Sequence, residues 1–465
     1  MIRRSLTLGV LLLVSLNSQA QSGGKGSNTV LENAAKTIGA EGLKSIKYSG
    51  NGFNFALGQS PKPFAPWPKF NVKSYTRTIN YETGSSQEEM VRTQYENPPH
   101  GGGAQPIIGE QRQVQLVSGS YAWNLAGNNA TPVPAAASER MLQIWTTPHG
   151  FLRAAQLNKA TVRSISSGKG RKMHVATFMA DGKFKVNGFI NGQNLVERVE
   201  TWIPNPVAGD MLVETLYSNY QDMSGIKFPT RIVQKQAGFP TLDISVMSVE
   251  PNAAAAIEAP PSVRQGSAPP VRVESQKLAE GVWYLTGGSH HSALVEFKDH
   301  VTVIEAPLNE ERSLAVISEV KKLVPNKPIK YLVMTHHHFD HSGGVRTFVA
   351  GGATVVTHRL NKVFCDQILR GQRTLSADKL SQSRRAPRVV TMTDKYVLTD
   401  GTRVLELHHI KGSMHNEGII MGYLPAEKLL IEADVFTPGA ANAPPPATPN
   451  PFTVNLQENL QRLNL

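Results

Sequence analysis

The stretch Thr335-His336-His337-His338-Phe339-Asp340-His341-Ser342-Gly343-Gly344 carries four imidazoles and one carboxylate in six consecutive residues. Neutral imidazole and ionised carboxylate are ready donors near pH 7, and zinc accepts both at about 2.0–2.2 Å. On an extended loop alternate side chains share a side, so His336 and His338 can hold one ion while Asp340 and His341 turn toward a second. A metal held by three protein ligands with an open position lowers the pKa of bound water to around 7 and polarises a carbonyl, so hydrolysis by a metal-bound hydroxide is expected. Asp340 would bind metal and also accept a hydrogen bond from the attacking hydroxide, the position of a base. The bland alternative is a histidine-rich surface loop. Thr335 closing an apolar strand and Gly343-Gly344 opening a helix argue against it.

The other histidines say less. His337 alternates away from the ion and reads as a support for the ligands. His408 and His409 lie in a strand expected at 404–410 and read as structural. His290 and His291 precede a strand and could reach the mouth of the site, although a plain turn is the favoured reading. His100, His149, His174, His300 and His358 have no ligand spacing, and Cys365 fits a buried helical thiol. A single cysteine leaves no disulfide framework and no Cys-rich zinc site.

The cluster resembles the His-x-His-x-Asp-His signature of the metallo-β-lactamase fold superfamily. Two further segments extend the resemblance. His415, in Gly412-Ser413-Met414-His415-Asn416-Glu417-Gly418, stands where that family has its third imidazole ligand; Asp434, in Leu430-Ile431-Glu432-Ala433-Asp434-Val435-Phe436, stands where its glyoxalase and lactonase branches have a metal-bridging carboxylate. The resemblance runs from about 271 to the C-terminus and implies an αβ/βα sandwich holding one or two zinc ions. By it, His336, His338 and His415 hold the first ion, and Asp340, His341 and Asp434 contribute to the second. It implies a hydrolase of an ester, lactone, thioester or amide, with Asp434 favouring the lactonase-like branch over a true β-lactamase. The family's last His has no counterpart, since no His follows His415, and the expectation is a chain stopping short of the closing strand. The family's di-iron redox variants usually carry a complete ligand set and a flavin domain, and neither is found.

The elements that must position these residues follow from periodicity. Strands are expected at 282–285, 293–297, 301–305 and 329–335, with helices at 313–323 and 454–463. Strands alternating with helices imply a covered sheet with ligands at the strands' carboxyl ends. Residues 21–251 instead show short period-two runs, at 114–116, 172–178, 183–190, 195–202, 225–232 and 241–249, between Gly, Pro and Asn, which argues for antiparallel strands. The segments at 98–106 and 130–137 read as flexible hairpin tips. This half resembles the half-barrel of periplasmic lipoprotein carriers, which implies a lipid or acyl ligand. Residues 252–270, rich in Ala and Pro, read as a semi-rigid linker. The expected fold class is therefore α+β: an N-terminal antiparallel β-rich half-barrel-like domain, then the sandwich from 271 to 465.

With 465 residues, 40% apolar and 18% charged, the chain is globular and too long for one core. The formal net charge of +12 is spread along the chain. Only +3 falls in residues 251–465, so nucleic acid is not the expected partner and phosphodiester cleavage is disfavoured. The one basic cluster, Arg370, Arg373, Lys379, Arg384, Arg385 and Arg388, reads as a solvated helix or loop rather than an anion-binding lid. Arg3 and Arg4, an apolar stretch at 6–16 and Ser18-Gln19-Ala20 read as a signal peptide cleaved after Ala20. The apolar stretch is too short for a membrane span, so a periplasmic or secreted enzyme acting on a small molecule is expected. The competing class is a periplasmic lipid carrier with an impaired hydrolase domain.

Overall fold

The computed structural model describes residues 25–465 apart from 168, 169, 268, 269, 384, 441, 443, 445 and 447. The signal peptide expected at 1–20, Pro269 of the expected linker and Arg384 of the basic cluster lie outside the described residues.

Thirteen strands form one antiparallel sheet: β1 (Ser45–Phe55), β2 (Lys69–Asn80), β3 (Ser85–Gln94), β4 (Gln111–Ser118), β5 (Tyr121–Ala126), β6 (Asn129–Pro132), β7 (Thr161–Ser167), β8 (Arg171–Ala180), β9 (Phe184–Asn191), β10 (Val196–Asn205), β11 (Gly209–Met223), β12 (Ile226–Gln236) and β13 (Phe239–Pro251). Their order is β6-β5-β4-β3-β2-β1-β13-β12-β11-β10-β9-β8-β7, so neighbours in the sheet are consecutive in sequence except where β1 meets β13. The sheet keeps two edges, β6 and β7, and is not a closed barrel. Strict alternation along β11, buried at Met211, Val213, Thr215 and Tyr217, turns one face inward. That face packs on the helices α1 (Lys25–Ile38), α2 (Ala137–Trp145) and α3 (Pro148–Leu157), with Leu31, Ile38, Ile144, Phe151 and Leu152 in the shared core. The segment after β13 crosses the far edge, where Ile257, Ala259 and, in the short α4 (Pro261–Arg264), Val263 pack on Val114, Leu116 and Trp123.

A second layer system begins at Glu274. Seven strands, β14 (Glu274–Ala279), β15 (Val282–Thr286), β16 (Ser292–Glu296), β17 (Val301–Ile304), β18 (Ile329–Val333), β19 (Thr354–His358) and β20 (Val389–Met392), pair in chain order, antiparallel up to β17 and parallel from there. Four more, β21 (Lys395–Thr399), β22 (Val404–His409), β23 (Ile420–Leu424) and β24 (Leu429–Ile431), make an antiparallel sheet stacked on the first through Val295, Phe297, Ile304, Val333, Leu405, Leu407 and Leu424. The outer faces carry α5 (Glu310–Leu323), α6 (Phe339–Ser342), α7 (Val345–Ala350), α8 (Lys362–Arg370) and α9 (Lys379–Gln382) on one side. On the other, α10 (Pro451–Leu463) packs Phe452 and Leu456 on Ile410, Ile419 and Met421. Helix α5 starts where the Asn309 side chain accepts from the Arg312 amide, has Glu310 and Glu311 in its first turn and Lys321 and Lys322 in its last, as capping and the macrodipole favour.

The two layer systems dock closely. Val207, between β10 and β11, is part of the core beneath α8. Within the basic cluster the solvated reading fails for Arg373. It is 8% exposed, and its guanidinium donates to the carbonyls of Asn205 (2.8 Å), Pro206 (3.0 Å) and Val207 (2.8 Å). A guanidinium offers five donors in a fixed fork, and this loop supplies acceptors that burial would otherwise leave unpaired. Arg370, Lys379, Arg385 and Arg388 are exposed.

Candidate metal centre

Parallel pairing puts the carboxyl ends of β17, β18 and β19 side by side, and β18 runs directly into Thr335 and the histidine cluster. The chain turns there because Gly343 and Gly344 pack without side chains: a Cβ at Gly343 would overlap the Leu308 carbonyl oxygen. His415 arrives from the β22–β23 connection and Asp434 from the turn after β24, so both sheets deliver to one end.

His336, His338, His415 and Asp434 bring one donor atom each within 4.8 Å of one another. Asp434 Oδ2 lies 2.9 Å from His341 Nε2, 3.3 Å from His415 Nε2 and 3.7 Å from His336 Nε2. His336, His338 and His415 are at most 3% exposed. Their nitrogens are orphaned: His336 Nε2, His338 Nδ1, and both His415 nitrogens have no hydrogen-bond partner. The tautomer of His338 follows from its other nitrogen, since the Ser60 carbonyl 2.9 Å from Nε2 can only accept. Its proton is on Nε2, and the Nδ1 lone pair faces the cluster. Burial, then the neighbouring imidazoles, hold His336 and His338 well below the usual histidine range, so both are neutral. Buried lone pairs converging on a carboxylate oxygen are costly without a cation between them. The donor set therefore fits a bound divalent ion.

Asp340 and His341 come together as expected, but the residue that joins them is His290. Its Nε2 is 3.2 Å from Asp340 Oδ2, its ring centroid is 5.1 Å from that of His341, and the three donors form a second group within 4.8 Å. The plain turn expected at His290 and His291 is thus corrected for His290, because the turn aims its ring inward. His291 bonds the Tyr284 hydroxyl and, at 3.0 Å, the Gly288 carbonyl. Burial would raise the Asp340 pKa, but its hydrogen bond with His290 and the nearby His341 and His338 hold it below the usual carboxylate range. Asp434 is held well below that range against burial, chiefly by His341.

Glu305 was missed at the sequence level. It is 6% exposed at the end of β17; its Oε2 pairs with His341 Nδ1 and its Oε1 accepts from the Thr335 amide at 3.0 Å. Its φ of +74° is a left-handed conformation that a non-glycine residue holds only where its surroundings enforce it. An acidic residue closing the apolar run Val303-Ile304 was the available signal. Burial disfavours the His341 imidazolium, yet Glu305 and Asp434 hold its pKa well above the usual range. His337 points away from the cluster, as expected, toward Ser60 Oγ (3.1 Å from Nε2) and Asn416 Nδ2 (2.8 Å from Nδ1). Burial pushes it down to about 3.

Residues 59, 60 and 101–103 also form this site, which no local pattern announced. Gln59 Nε2 donates to Asp340 Oδ1 at 2.7 Å, leaving Oδ2 toward His290. The Gly101 amide donates to the Met414 carbonyl at 2.8 Å, and a Cβ on Gly102 would stand 3.0 Å from His338 Nδ1, in the space beside the free lone pair. The expected hairpin tip at 98–106 is therefore a wall of the centre. Behind His337, Phe64, Trp67, Phe239, Phe339 and Phe364 line an apolar cavity between the two layer systems.

The remaining candidates lie elsewhere. His408 pairs with Glu406, and His409 bonds the Glu417 carbonyl and stacks on His358. His100 lies by Glu96, His174 by Ser164, and His300 by Asp299. Cys365 is fully buried and its thiol is pushed up to about 12 by burial, which leaves it inert.

The model of the family described as "Metallo-beta-lactamase superfamily" matches residues 285–454, and this C-terminal part has the metallo-β-lactamase fold. A linear primary-alkylsulfatase from Pseudomonas sp is 38% identical over 56 residues, 12% of this chain; the match spans 8% of that protein's length. Among solved structures, a metallo-beta-lactamase from Pontibacter korlensis is 20% identical, covering 41% of this chain and 86% of its own, with a TM-score of 0.30. One from Hirschia baltica is 18% identical, covering 42% and 86%, with a TM-score of 0.32.

Proposed function

We propose that the metallo-β-lactamase fold at residues 285–454 makes this chain a zinc-dependent hydrolase, exported to the periplasm or beyond and acting on a small molecule. The observation that carries the reading is the convergence of orphaned, buried imidazole nitrogens of His336, His338 and His415 on the Asp434 carboxylate. These four residues would hold the first ion, with Asp340 and His341 beside a second. When bound, such ions lower the pKa of a bound water and polarise the scissile bond. Asp340, ionised and fixed through Oδ1 by Gln59, presents Oδ2 as the acceptor for the proton of the attacking water. Glu305 fixes the ring of His341, and the pairs Ser60–His337 and Asn416–His337 hold the loop from behind.

Ester, lactone, thioester and amide bonds are all within reach of this chemistry, and the likeness to an alkylsulfatase adds sulfate esters. The apolar cavity beside His337 supports a substrate with an apolar arm. It would equally suit the acyl ligand of a carrier, although α1–α3 and their core fill the face of the large sheet where such a ligand was expected. Among the described residues no helix is long and apolar enough to cross a membrane. The test is hydrolysis of a chromogenic panel of esters, lactones, β-lactams and alkyl sulfates before and after chelation. Turnover lost on chelation and restored by zinc is expected. Turnover indifferent to chelation, or none with any class, would overturn the reading.

A further inference from the structure

We propose that His290 is a protein ligand of the second cation, completing a site with Asp340 and His341; this rests on the metal-centre reading above and goes beyond its ligand set.

The geometry is that of a ligand. The three donor atoms lie within 4.8 Å of one another, and His290 Nε2 faces Asp340 Oδ2 at 3.2 Å. Each member is held so that one atom remains for an ion. The other His290 nitrogen, Nδ1, is engaged by Ser289 Oγ at 2.9 Å. The other Asp340 oxygen is engaged by Gln59, and His341 Nδ1 by Glu305. What remains facing the shared space is two imidazole nitrogens and one carboxylate oxygen, a set suited to zinc.

The backbone of the turn is anchored as well. Arg312, at the start of α5 and 2% exposed, donates to the carbonyls of Arg272, Thr286 (2.8 Å) and His290 (3.4 Å). Gly288 packs against this guanidinium. The pair His290-His291 is thereby split, with one ring turned to Asp340 and the other to Tyr284. His341 Nε2, on a ring 5% exposed, faces Asp434 Oδ2 at 2.9 Å as well as the Asp340–His290 pair, so two carboxylates and two imidazoles meet at this end of the centre.

His290 could instead serve only as a hydrogen-bond donor to Asp340, and the two roles separate by substitution. Gln keeps a donor of similar reach and is a poor zinc ligand. The full chain would be stripped with a chelator and titrated with zinc against a chromophoric competitor, in the wild type, His290→Gln and His291→Gln, with thermal melts confirming folding. We expect two ions in the wild type and in His291→Gln. In His290→Gln we expect the first ion with unchanged affinity and the second weakened by about 100-fold or more. A His290→Asp variant, which supplies a carboxylate ligand in place of the imidazole, should recover part of the second affinity. Two ions at wild-type affinity in His290→Gln would overturn the inference and leave the metal-centre reading intact. A single ion in the wild type would do the same, whereas no ion in the wild type would overturn both.

Discussion

Glu305 shows how one side chain makes its neighbours chemically useful. Its two oxygens serve different partners, the His341 ring and the Thr335 amide, so it fixes both a candidate ligand and the loop that carries it. Orienting partners of this kind typically matter by about 10–100-fold in metal affinity or activity. Glu305→Gln keeps an oxygen for Thr335 and loses the charge opposite His341. It should lower second-ion affinity or turnover by about 10–100-fold with little change in melting temperature. Wild-type turnover in this variant would show that His341 is oriented without it. At this scale the sequence was most informative where residue types alone limit the chemistry. His336, His338, Asp340 and His341 were legible in six residues of text. Glu305 and His290 were not, because a single carboxylate after a strand or a His pair in a turn has many ordinary uses.

At the scale of elements, period-two patterning marked strands at 114–116, 172–178, 183–190, 195–202, 225–232 and 241–249, and alternation of strands with helices marked the second half. What periodicity could not supply was the pairing of β1 with β13, which brings Ile46 opposite Pro251 across more than 200 residues. The helices under the large sheet were equally silent, since their apolar faces meet strands distant in the chain. His149 illustrates the resulting packing. It sits on α3, stacks on Phe228 of β12 and donates through Nε2 to the Ile38 carbonyl that ends α1 at 3.1 Å. Burial pushes its pKa down to about 4 from 6.5. The unfolded chain therefore takes up a proton below pH 6.5 that the folded chain refuses until about pH 4. The contribution is present in full above pH 6.5 and is lost as pH falls toward 4, amounting to about 3 kcal/mol. Urea unfolding at pH 7 and 4.5 should show a fall in stability that is smaller by about that amount in His149→Gln. An unchanged fall in the variant would contradict this account of the α1–α3 junction.

At the scale of the whole molecule, the two halves share one centre. Gln59 and Ser60 meet Asp340, His337 and His338 across about 280 positions, and Arg373 and Thr374 lock onto residues 205–210 from the other side. Such contacts leave no trace in local pattern, which is why the first half reads in sequence as a separate ligand-binding body. In the structure it supplies part of the wall, the orientation of His338 and half of the apolar cavity. The arrangement ties any hydrolysis to docking of the large sheet. The claim on which all else depends is that the converging imidazoles hold metal. The most direct measurement is the zinc content per chain of the full protein and of a His336→Ala/His338→Ala variant, each exposed to zinc and then desalted. The account predicts about two ions in the wild type and loss of at least the first in the variant. Equal zinc content in the two proteins, or none in the wild type, would contradict it.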